Sequence, residues 1–174
     1  MWLYILLGIV LLIAIILIVA ATKPNTVHYE RSAVMNAPPD RILAQIDDFH
    51  AWRAWSPWEK LDPDMKREYS GAPKGVGAKY RWSGNNKAGE GHMTITEITP
   101  DLVQLDLHFI KPWEAQCLTR FRTTREGNAT RLTWTMDGPN TFMGKIFGLF
   151  VNMDRMIGKD FETGLVGIKT QAEK

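Results

Sequence analysis

The chain has 174 residues, of which 45% are hydrophobic and 23% charged, and its formal net charge is +2. This balance excludes a disordered chain, and the concentrated basic patch typical of a nucleic-acid-binding protein is absent. The single cysteine, Cys117, excludes an intramolecular disulfide and a cysteine-based zinc site. All 21 basic and 19 acidic residues follow position 22, so one uncharged segment precedes a soluble-type domain of about 150 residues.

The uncharged segment is predicted to be a transmembrane helix. Residues 2–21 are almost entirely large and apolar, and as a helix they would span about 30 Å, the thickness of a bilayer core. Trp2 and Tyr4 suit a membrane interface. A signal peptide would carry basic residues before a shorter apolar stretch, although 19–21 resembles a cleavage site. We therefore expect an uncleaved anchor.

The anchor divides the chain and sets its expected location. We assign residues 1–22 to the transmembrane anchor, 23–25 to a short linker and 26–174 to the domain. Lys23 and Arg31 follow the helix, so the charge bias predicts a single-pass membrane protein with its domain in the cytoplasm.

The first part of the domain is predicted to contain one strand and two short helices. Residues 25–37 have an imperfect alternation that favours a strand, and the two prolines at 38–39 end it. A helix is expected from Asp40 through Asp47, where apolar residues follow helical spacing. A second short helix is expected over residues 49–55, ending before Pro57.

Period-two alternation and turn residues then predict antiparallel strands. They cover residues 66–70, 78–83, 89–98, 102–110, 113–125 and 130–136. Their apolar residues should share the inner face of the sheet, opposite polar partners such as Arg81, Asp106 and Arg122. The inward set is Tyr80, Trp82, Met93, Ile95, Val103, Leu105, Leu107, Phe109, Cys117, Phe121, Leu132, Trp134 and Met136.

The last part is predicted to be one long helix that covers the sheet. Residues 137–140 are a strong break, and Thr141 is a good N-cap for a helix running to about Ala172. Its glycines favour either close packing or a bend, or else a helix that shifts over a cavity. Residues Phe142, Ile146, Phe150, Met153, Ile157 and Phe161 are expected to face the strands.

This order of elements resembles the SRPBCC or START-like superfamily, the Bet v 1-like helix-grip proteins, in the polyketide cyclase/dehydrase group. The likeness covers residues 26–172 and implies an α+β fold. About six to seven antiparallel strands would curve around the C-terminal helix and leave a hydrophobic ligand cavity. A membrane segment is an addition seen in some bacterial members. The segments that carry the likeness are AWSPWEK (54–60), GxGxxY (75–80), GEGHMTITEI (89–98), TWTMDGPNTFMGK (133–145) and MIGKDFETGL (156–165).

The resemblance and the inward pattern together predict the ligand-binding residues. The tryptophans that recur at 52, 55 and 58 would form either an aromatic rim over the pocket or the filling of a core. Met153 suits a cavity wall because methionine adapts to ligands of varied shape. The predicted set is Trp55, Trp58, Tyr80, Trp82, Leu105, Leu107, Phe109, Phe121, Trp134, Met136, Phe150 and Met153.

Few residues point to catalysis, and we predict no catalytic residue, metal site or cofactor. The sequence contains no nucleophile elbow, P-loop, HExxH or CxxC motif. The cluster 47–50, with two aspartates and His50, favours a helix cap over a metal site, and His92 with His108 favours a surface pair. Four carboxylates would serve an aldol cyclase if they faced the cavity, and otherwise are caps or surface charges. They are Glu59, Asp137, Asp160 and Glu162.

The leading hypothesis is a membrane-anchored protein that binds a hydrophobic small molecule or lipid without catalysis. Its partners would be the bilayer, through residues 2–21, and the apolar ligand, with no nucleic acid and no identified protein partner. The alternatives are a polyketide cyclase or dehydratase and a protein-interaction module similar to chaperone activators. An enzyme requires an ionisable group in the cavity, whereas an interaction module requires an exposed apolar patch elsewhere.

Overall fold

Seven antiparallel strands form one curved sheet in the order β1-β7-β6-β5-β4-β3-β2. The computed structural model describes residues 2–174. The strands are β1 (Thr26–Met35), β2 (Lys66–Gly71), β3 (Ala78–Ser83), β4 (Glu90–Thr99), β5 (Leu102–Lys111), β6 (Ala115–Glu126) and β7 (Ala129–Pro139). The helices are α1 (Trp2–Ala21), α2 (Pro39–Leu43), α3 (Trp52–Trp55), α4 (Phe142–Phe147) and α5 (Met153–Ala172), with a 3-10 helix at Pro57–Lys60. The predicted α+β helix-grip class is confirmed.

The predicted inward face of the sheet is confirmed. Nine of its thirteen residues are buried and the other four are half-buried, whereas the polar alternates Arg81, Asp106 and Arg122 are exposed. A register shift between Ile95 and Glu97 interrupts the alternation at the end of β4. The core therefore lies between this face and α5, as period-two patterning predicts.

The break predicted at residues 137–140 is wrong, because β7 continues through Pro139. Gly138 and Pro139 pair with the first two residues of β1. A Cβ at Gly138 would lie 2.6 Å from the Sγ of Cys117, so glycine admits that side chain here and does not mark a turn. Pro139 is tolerated because it occupies the last position of the strand. β6 also begins later than predicted, at Ala115.

The single long helix is also wrong, since α4 and α5 are separated at residues 148–152. Thr141 caps α4 as predicted, its hydroxyl accepting from the Gly144 N–H. A second N-cap, Asn152, accepts from the Arg155 N–H and starts α5. Phe142 and Phe150 consequently do not face the strands but are exposed, whereas Met153, Ile157 and Phe161 pack on the core.

Close packing, together with the break after α4, explains the glycines of the last segment. A Cβ at Gly164 would lie 2.7 Å from Cζ3 of Trp134, and one at Gly167 would lie 2.7 Å from the backbone oxygen of Trp55. These positions let α5 approach the sheet and α3 more closely than an alanine would allow.

The short helices are shorter than predicted, and the 3-10 helix was not predicted. α2 ends at Leu43 and α3 begins at Trp52. Trp52 and Trp55 are buried, and their indole N–H groups donate to the backbone oxygens of Ile46 and Gln45. These two tryptophans therefore fill the core under the short helices, which favours the packing interpretation over a rim.

Candidate ligand-binding groove

The apolar interior has two ends that differ in burial. The strands of the sheet have two ends. We call the end at which β1 begins and β7 finishes the anchor end, because α1 joins the domain there through residues 22–25. The other end, at which β1 finishes and β7 begins, is the closed end. Side chains at the closed end, such as Met35, Ile42, Val103 and Leu132, are inaccessible to solvent.

Aromatic rings fill the middle of the interior. Trp134 stacks on Phe161 at 4.2 Å between ring centroids, and Phe121 lies 4.5 Å from Trp134. Trp52 and Trp55 extend this stack towards α2, at 4.6 Å from each other. The deep part of the expected cavity is therefore occupied by the protein's own side chains.

The anchor end is only half-buried. Val27 lies opposite Gly138 on the sheet, and Cys117 packs beside that glycine and pairs with Leu107. Trp82 and Phe109, at the same end of the strands, are also half-buried, as is Trp58 on the 3-10 helix. We define the anchor-end groove as the half-buried set Val27, Trp82, Leu107, Phe109, Cys117, Met153 and Ile157.

Two unpaired polar atoms lie just inside this groove. Thr119 is on the same face of β6 as Cys117, and both the Thr119 hydroxyl and the Trp134 indole N–H are buried without a partner among the described residues. A buried polar group without a hydrogen bond costs about 1–3 kcal/mol. Thr119 and Trp134 are diagonal neighbours on β6 and β7, and a ligand oxygen that reached either group would supply the missing hydrogen bond.

Titratable groups in the groove are few. Burial raises the pKa of the Cys117 thiol, with the nearby Asp137 carboxylate as a second cause. Burial also raises the pKa of Tyr29, which lies beside Met136 on the inner face. Both side chains are therefore neutral at neutral pH, so neither supplies a thiolate or a phenolate to an apolar ligand.

The most buried ion pair lies beside the core. Arg67 Nε donates to Glu59 Oε2 at 2.7 Å, and the Tyr80 hydroxyl donates to Glu59 Oε1 at 2.5 Å. Burial, followed by the bond to Glu59, raises the pKa of Tyr80. Since both carboxylate oxygens are occupied, Glu59 fixes the 3-10 helix to β2 and β3 and does not face the groove as a free base.

Among the remaining candidate acids, two are paired at the surface and one is half-buried. Asp137 binds His28 and Arg120, and Glu162 binds Arg31, at the surface. Asp160 on α5 is half-buried, and burial raises its pKa.

The histidines are in surface pairs and turns. His92 and His108 are cross-strand neighbours with ring centroids 4.9 Å apart, as expected for a surface pair. Asp48 accepts from the His50 N–H, which closes a turn. Within residues 2–174, no group of three or more His, Cys, Asp or Glu side chains could hold a metal ion.

Two surface depressions lie outside the predicted site. One has a volume of about 220 Å³ and is lined by residues that include Phe49, His50, Tyr69 and Lys79. The other, of about 360 Å³, lies between Pro39 and the β4–β5 turn. None of the predicted ligand-binding residues lines either of them.

The structure divides the predicted ligand-binding residues into three groups. Trp82, Leu107, Phe109 and Met153 are in the anchor-end groove, with Met136 and Trp58 next to it. Phe150 is 71% exposed and belongs to neither the groove nor the core, because α4 ends before it. The fully packed residues are Trp55, Tyr80, Leu105, Phe121 and Trp134.

The prediction of the site omitted several groove residues. The imperfect alternation of β1 gives no clear inner face, so Val27 was not predicted. Ile157 was predicted to face the strands, but its helical spacing does not indicate that it contacts a ligand. Thr119 shares its face of β6 with Cys117 by period-two alternation, but a threonine in a strand gives no signal that its hydroxyl lacks a partner.

Comparison with known proteins agrees with the fold. The crystal structure of protein CV1439 from Chromobacterium violaceum is 16% identical, covers 87% of this chain and 99% of its own, and has a TM-score of 0.59. The di-domain ARO/CYC StfQ from the steffimycin biosynthetic pathway is 10% identical with a TM-score of 0.61, over 86% of this chain and 51% of that one. The Aha1 dimer from Colwellia psychrerythraea is 16% identical with a TM-score of 0.54, over 84% and 96%.

These likenesses, all far below 25% identity, establish the architecture alone. A comparison with curated proteins finds no match. A family model described as polyketide cyclase / dehydrase and lipid transport matches residues 26–173, which is the whole sheet with its covering helices. The chain therefore belongs to the polyketide cyclase/dehydrase and lipid transport family.

Proposed function

We propose that this protein is anchored in a bilayer by residues 2–21 and binds an apolar small molecule or lipid in the anchor-end groove. Residues 1–22 act as the anchor, 23–25 as the linker and 26–174 as the binding domain, on the cytoplasmic side. The ligand enters from the bilayer and lies between the sheet and the first turns of α5. No catalytic step is needed for this role.

The observation that carries the proposal is the position of the half-buried end. Five residues separate Ala21, the last residue of α1, from Val27 in the groove, a distance of at most about 22 Å along an extended chain. At the closed end, which faces away from α1, Met35, Ile42 and Leu132 are inaccessible to solvent, and the two surface depressions there include none of the predicted ligand-binding residues. An apolar molecule leaving the bilayer would thus cross little water.

The linker supports the proposal because it is held in place. The backbone N–H of Asn140 donates to the backbone carbonyl oxygen of Asn25 at 2.8 Å, and its side-chain Nδ2 donates to the backbone carbonyl oxygen of Pro24 at 3.0 Å. Lys145 Nζ donates to Asn25 Oδ1 at 2.6 Å. With these bonds the groove keeps one orientation relative to α1.

The unpaired groups narrow the class of ligand. The Trp134 N–H can only donate, and the Thr119 hydroxyl can donate or accept. An apolar molecule with one carbonyl or hydroxyl oxygen, such as a fatty acyl or quinone-like compound, would satisfy them. A saturated hydrocarbon would leave both groups unpaired.

The enzyme alternative has less support from the site. A cyclase requires an acid or base beside the substrate. The described groove residues offer the Cys117 thiol, whose pKa is raised by burial, and Glu59 is engaged by Arg67 and Tyr80. Burial also raises the pKa of Asp160 on α5, but this carboxyl is not among the residues that define the groove. Binding without chemistry is therefore the better account.

Photo-crosslinking of the full chain in lipid nanodiscs tests the proposal. A diazirine fatty acid should label peptides that carry Leu107 or Phe109 and the start of α5, in addition to α1. Met153→Trp should reduce the labelling of β5 because the indole fills the groove, whereas Val76→Trp, at an exposed site of the closed end, should not. Labelling confined to α1 would contradict binding in the groove.

A further inference from the structure

A patch of exposed apolar side chains lies outside the groove, on α4 and the two loops beside it. Trp113, in the turn before β6, lies 5.7 Å from Phe147 between ring centroids. We define the α4 patch as Trp113, Phe142, Met143, Phe147 and Phe150, which are between 39% and 71% exposed. A cluster of five large apolar side chains on one surface marks an interaction site.

The polarity of α4 is reversed relative to a surface helix of a soluble protein. Its buried residue is Lys145, which is only 8% exposed and whose ammonium group binds Asn25. Its large apolar residues Phe142, Met143 and Phe147 are the exposed ones. A helix in water places these residue types the other way round, whereas a helix surrounded on its outer face by lipid does not.

The position of α4 beside α1 identifies the surrounding medium. α4 contacts α1, and Ala20 in the last turn of α1 is completely buried. Ile16, one turn earlier on the same face, is half-buried. At 1.5 Å per residue these two positions lie about 2–8 Å from the end of α1, the depth at which interfacial helices enter the headgroup boundary.

We propose that the α4 patch inserts into the headgroup and acyl boundary of the same bilayer that α1 crosses. This inference rests on the proposed anchoring of α1 and adds a second membrane contact. The Trp113 ring suits that layer, because indole rings settle at membrane interfaces. Two contacts fix the tilt of the domain, so that the anchor-end groove opens onto the lipid.

Depth-dependent quenching in the full chain tests the patch. The native Cys117 is replaced by alanine, and one environment-sensitive dye is attached at Met143→Cys, Val10→Cys or Val76→Cys. The chain is reconstituted into phosphatidylcholine vesicles with bromine either near the headgroup end or near the middle of the acyl chain. Met143 reports the patch, Val10 the middle of α1, and Val76 the closed end. Val10, Val76 and Met143 are similarly exposed, so all three accept a label without disturbing the core.

The inference predicts strong quenching at Met143 by shallow bromine, at Val10 by deep bromine, and none at Val76. Quenching at Val10 without quenching at Met143 would overturn the patch and leave the anchor in place. Quenching at Met143 but not at Val10 would overturn the anchor, and with it the inference that the patch enters a bilayer crossed by α1. Self-crosslinking of the Met143→Cys chain without quenching would identify a second copy as the occupant and overturn the inference.

Discussion

The two ends of the domain use the same kind of residue for different purposes. Both ends of the inner face are built from leucine, methionine and aromatic side chains, yet the inaccessible ones, such as Met35 and Leu132, lie at the closed end, whereas Leu107, Phe109 and Met153 at the anchor end are half-buried. The short helices α2 and α3 cover the closed end, whereas no element among residues 2–174 covers the anchor end completely. The comparison indicates that fold stability resides at the closed end and that ligand binding, as proposed, resides where burial is incomplete.

The largest expected effect comes from truncating a leucine on either side of the boundary between the closed interior and the groove. Leu105 and Leu107 share one face of β5, and Leu105 is completely buried whereas Leu107 is half-buried. Leu105→Ala should lower the free energy of unfolding by about 2–5 kcal/mol because it leaves a cavity. Leu107→Ala should cost clearly less because its site is already open. Urea unfolding of the full chain in detergent, followed by tryptophan fluorescence, measures both, and equal losses would contradict the division.

A somewhat smaller effect is expected from enlarging one side chain at the start of α5, Met153, and one in its buried second half, Leu165. Leu165→Trp overpacks the closed interior and should destabilise the domain by about 1–3 kcal/mol. Met153→Trp enters the groove, so the melting temperature should stay nearly unchanged while uptake of a fluorescent fatty acid is lost. Thermal melts and a binding titration of both variants decide this. A large loss of stability in Met153→Trp would mean that the anchor end is a closed core after all.

The alternation of the strands made the sheet predictable, but the boundaries of its elements were not. Alternate residues of β3 to β7 face the core, except past the register shift after Ile95 in β4, and this local rule identified the inner face. The break between α4 and α5 was invisible because residues 146, 150 and 153 keep a helical period across it. The start of α5 depends on one amide oxygen of Asn152, which patterning does not weigh.

The candidate site was predictable as a set of residues, though not as a shape. Leu107 and Phe109 follow from alternation, but whether an inward side chain is sealed or half-open depends on what packs over it. Trp134 and Phe161 fill the expected hollow by stacking, a contact between residues 27 positions apart. The reversed polarity of α4 likewise depends on Lys145 reaching Asn25 across the fold.

A smaller effect is expected from adding one methyl group at two glycines of α5. Gly164→Ala places its Cβ 2.7 Å from Cζ3 of the buried Trp134, which cannot move. This overpacking should lower the free energy of unfolding by about 1–3 kcal/mol. The higher helix propensity of alanine recovers at most about 1 kcal/mol of that loss. Gly158→Ala instead meets the end of the flexible Arg31 side chain. Arg31 donates to the exposed carboxylates of Asp154 and Glu162, and the weak contribution of such exposed pairs is offset by the gain in helix propensity. Chemical unfolding should therefore separate the two variants, and a similar loss in both would show that α5 packs as tightly at its start as over Trp134.

The smallest expected effect is a pH dependence on the outer face of the anchor end. His28 Nδ1 and Asp137 Oδ1 are 2.6 Å apart and join β1 to β7, while Arg120 binds the other oxygen of Asp137. The hydrogen bond to Asp137 raises the pKa of His28 above its ordinary value of 6.5. The folded state thus holds this proton more tightly than the unfolded chain, so the added stability is fully present below pH 6.5 and is lost as pH rises through the folded pKa. Because the pair is about half-exposed, the loss should be only about 0.2–1 kcal/mol.

The variant His28→Gln isolates this contribution from that of the other three histidines. Melting temperatures of the wild type and of His28→Gln should differ most below pH 6.5 and converge above the folded pKa. The groove should be indifferent to the change, since His28 lies on the opposite face of β1 from Val27. If the fatty-acid labelling of β5 decreased together with the melting temperature as the pH rises, the two faces of the anchor end would be coupled. Unchanged labelling would show that the half-open groove does not depend on this pair, and that the packing of the closed end is sufficient to hold the strands beneath it.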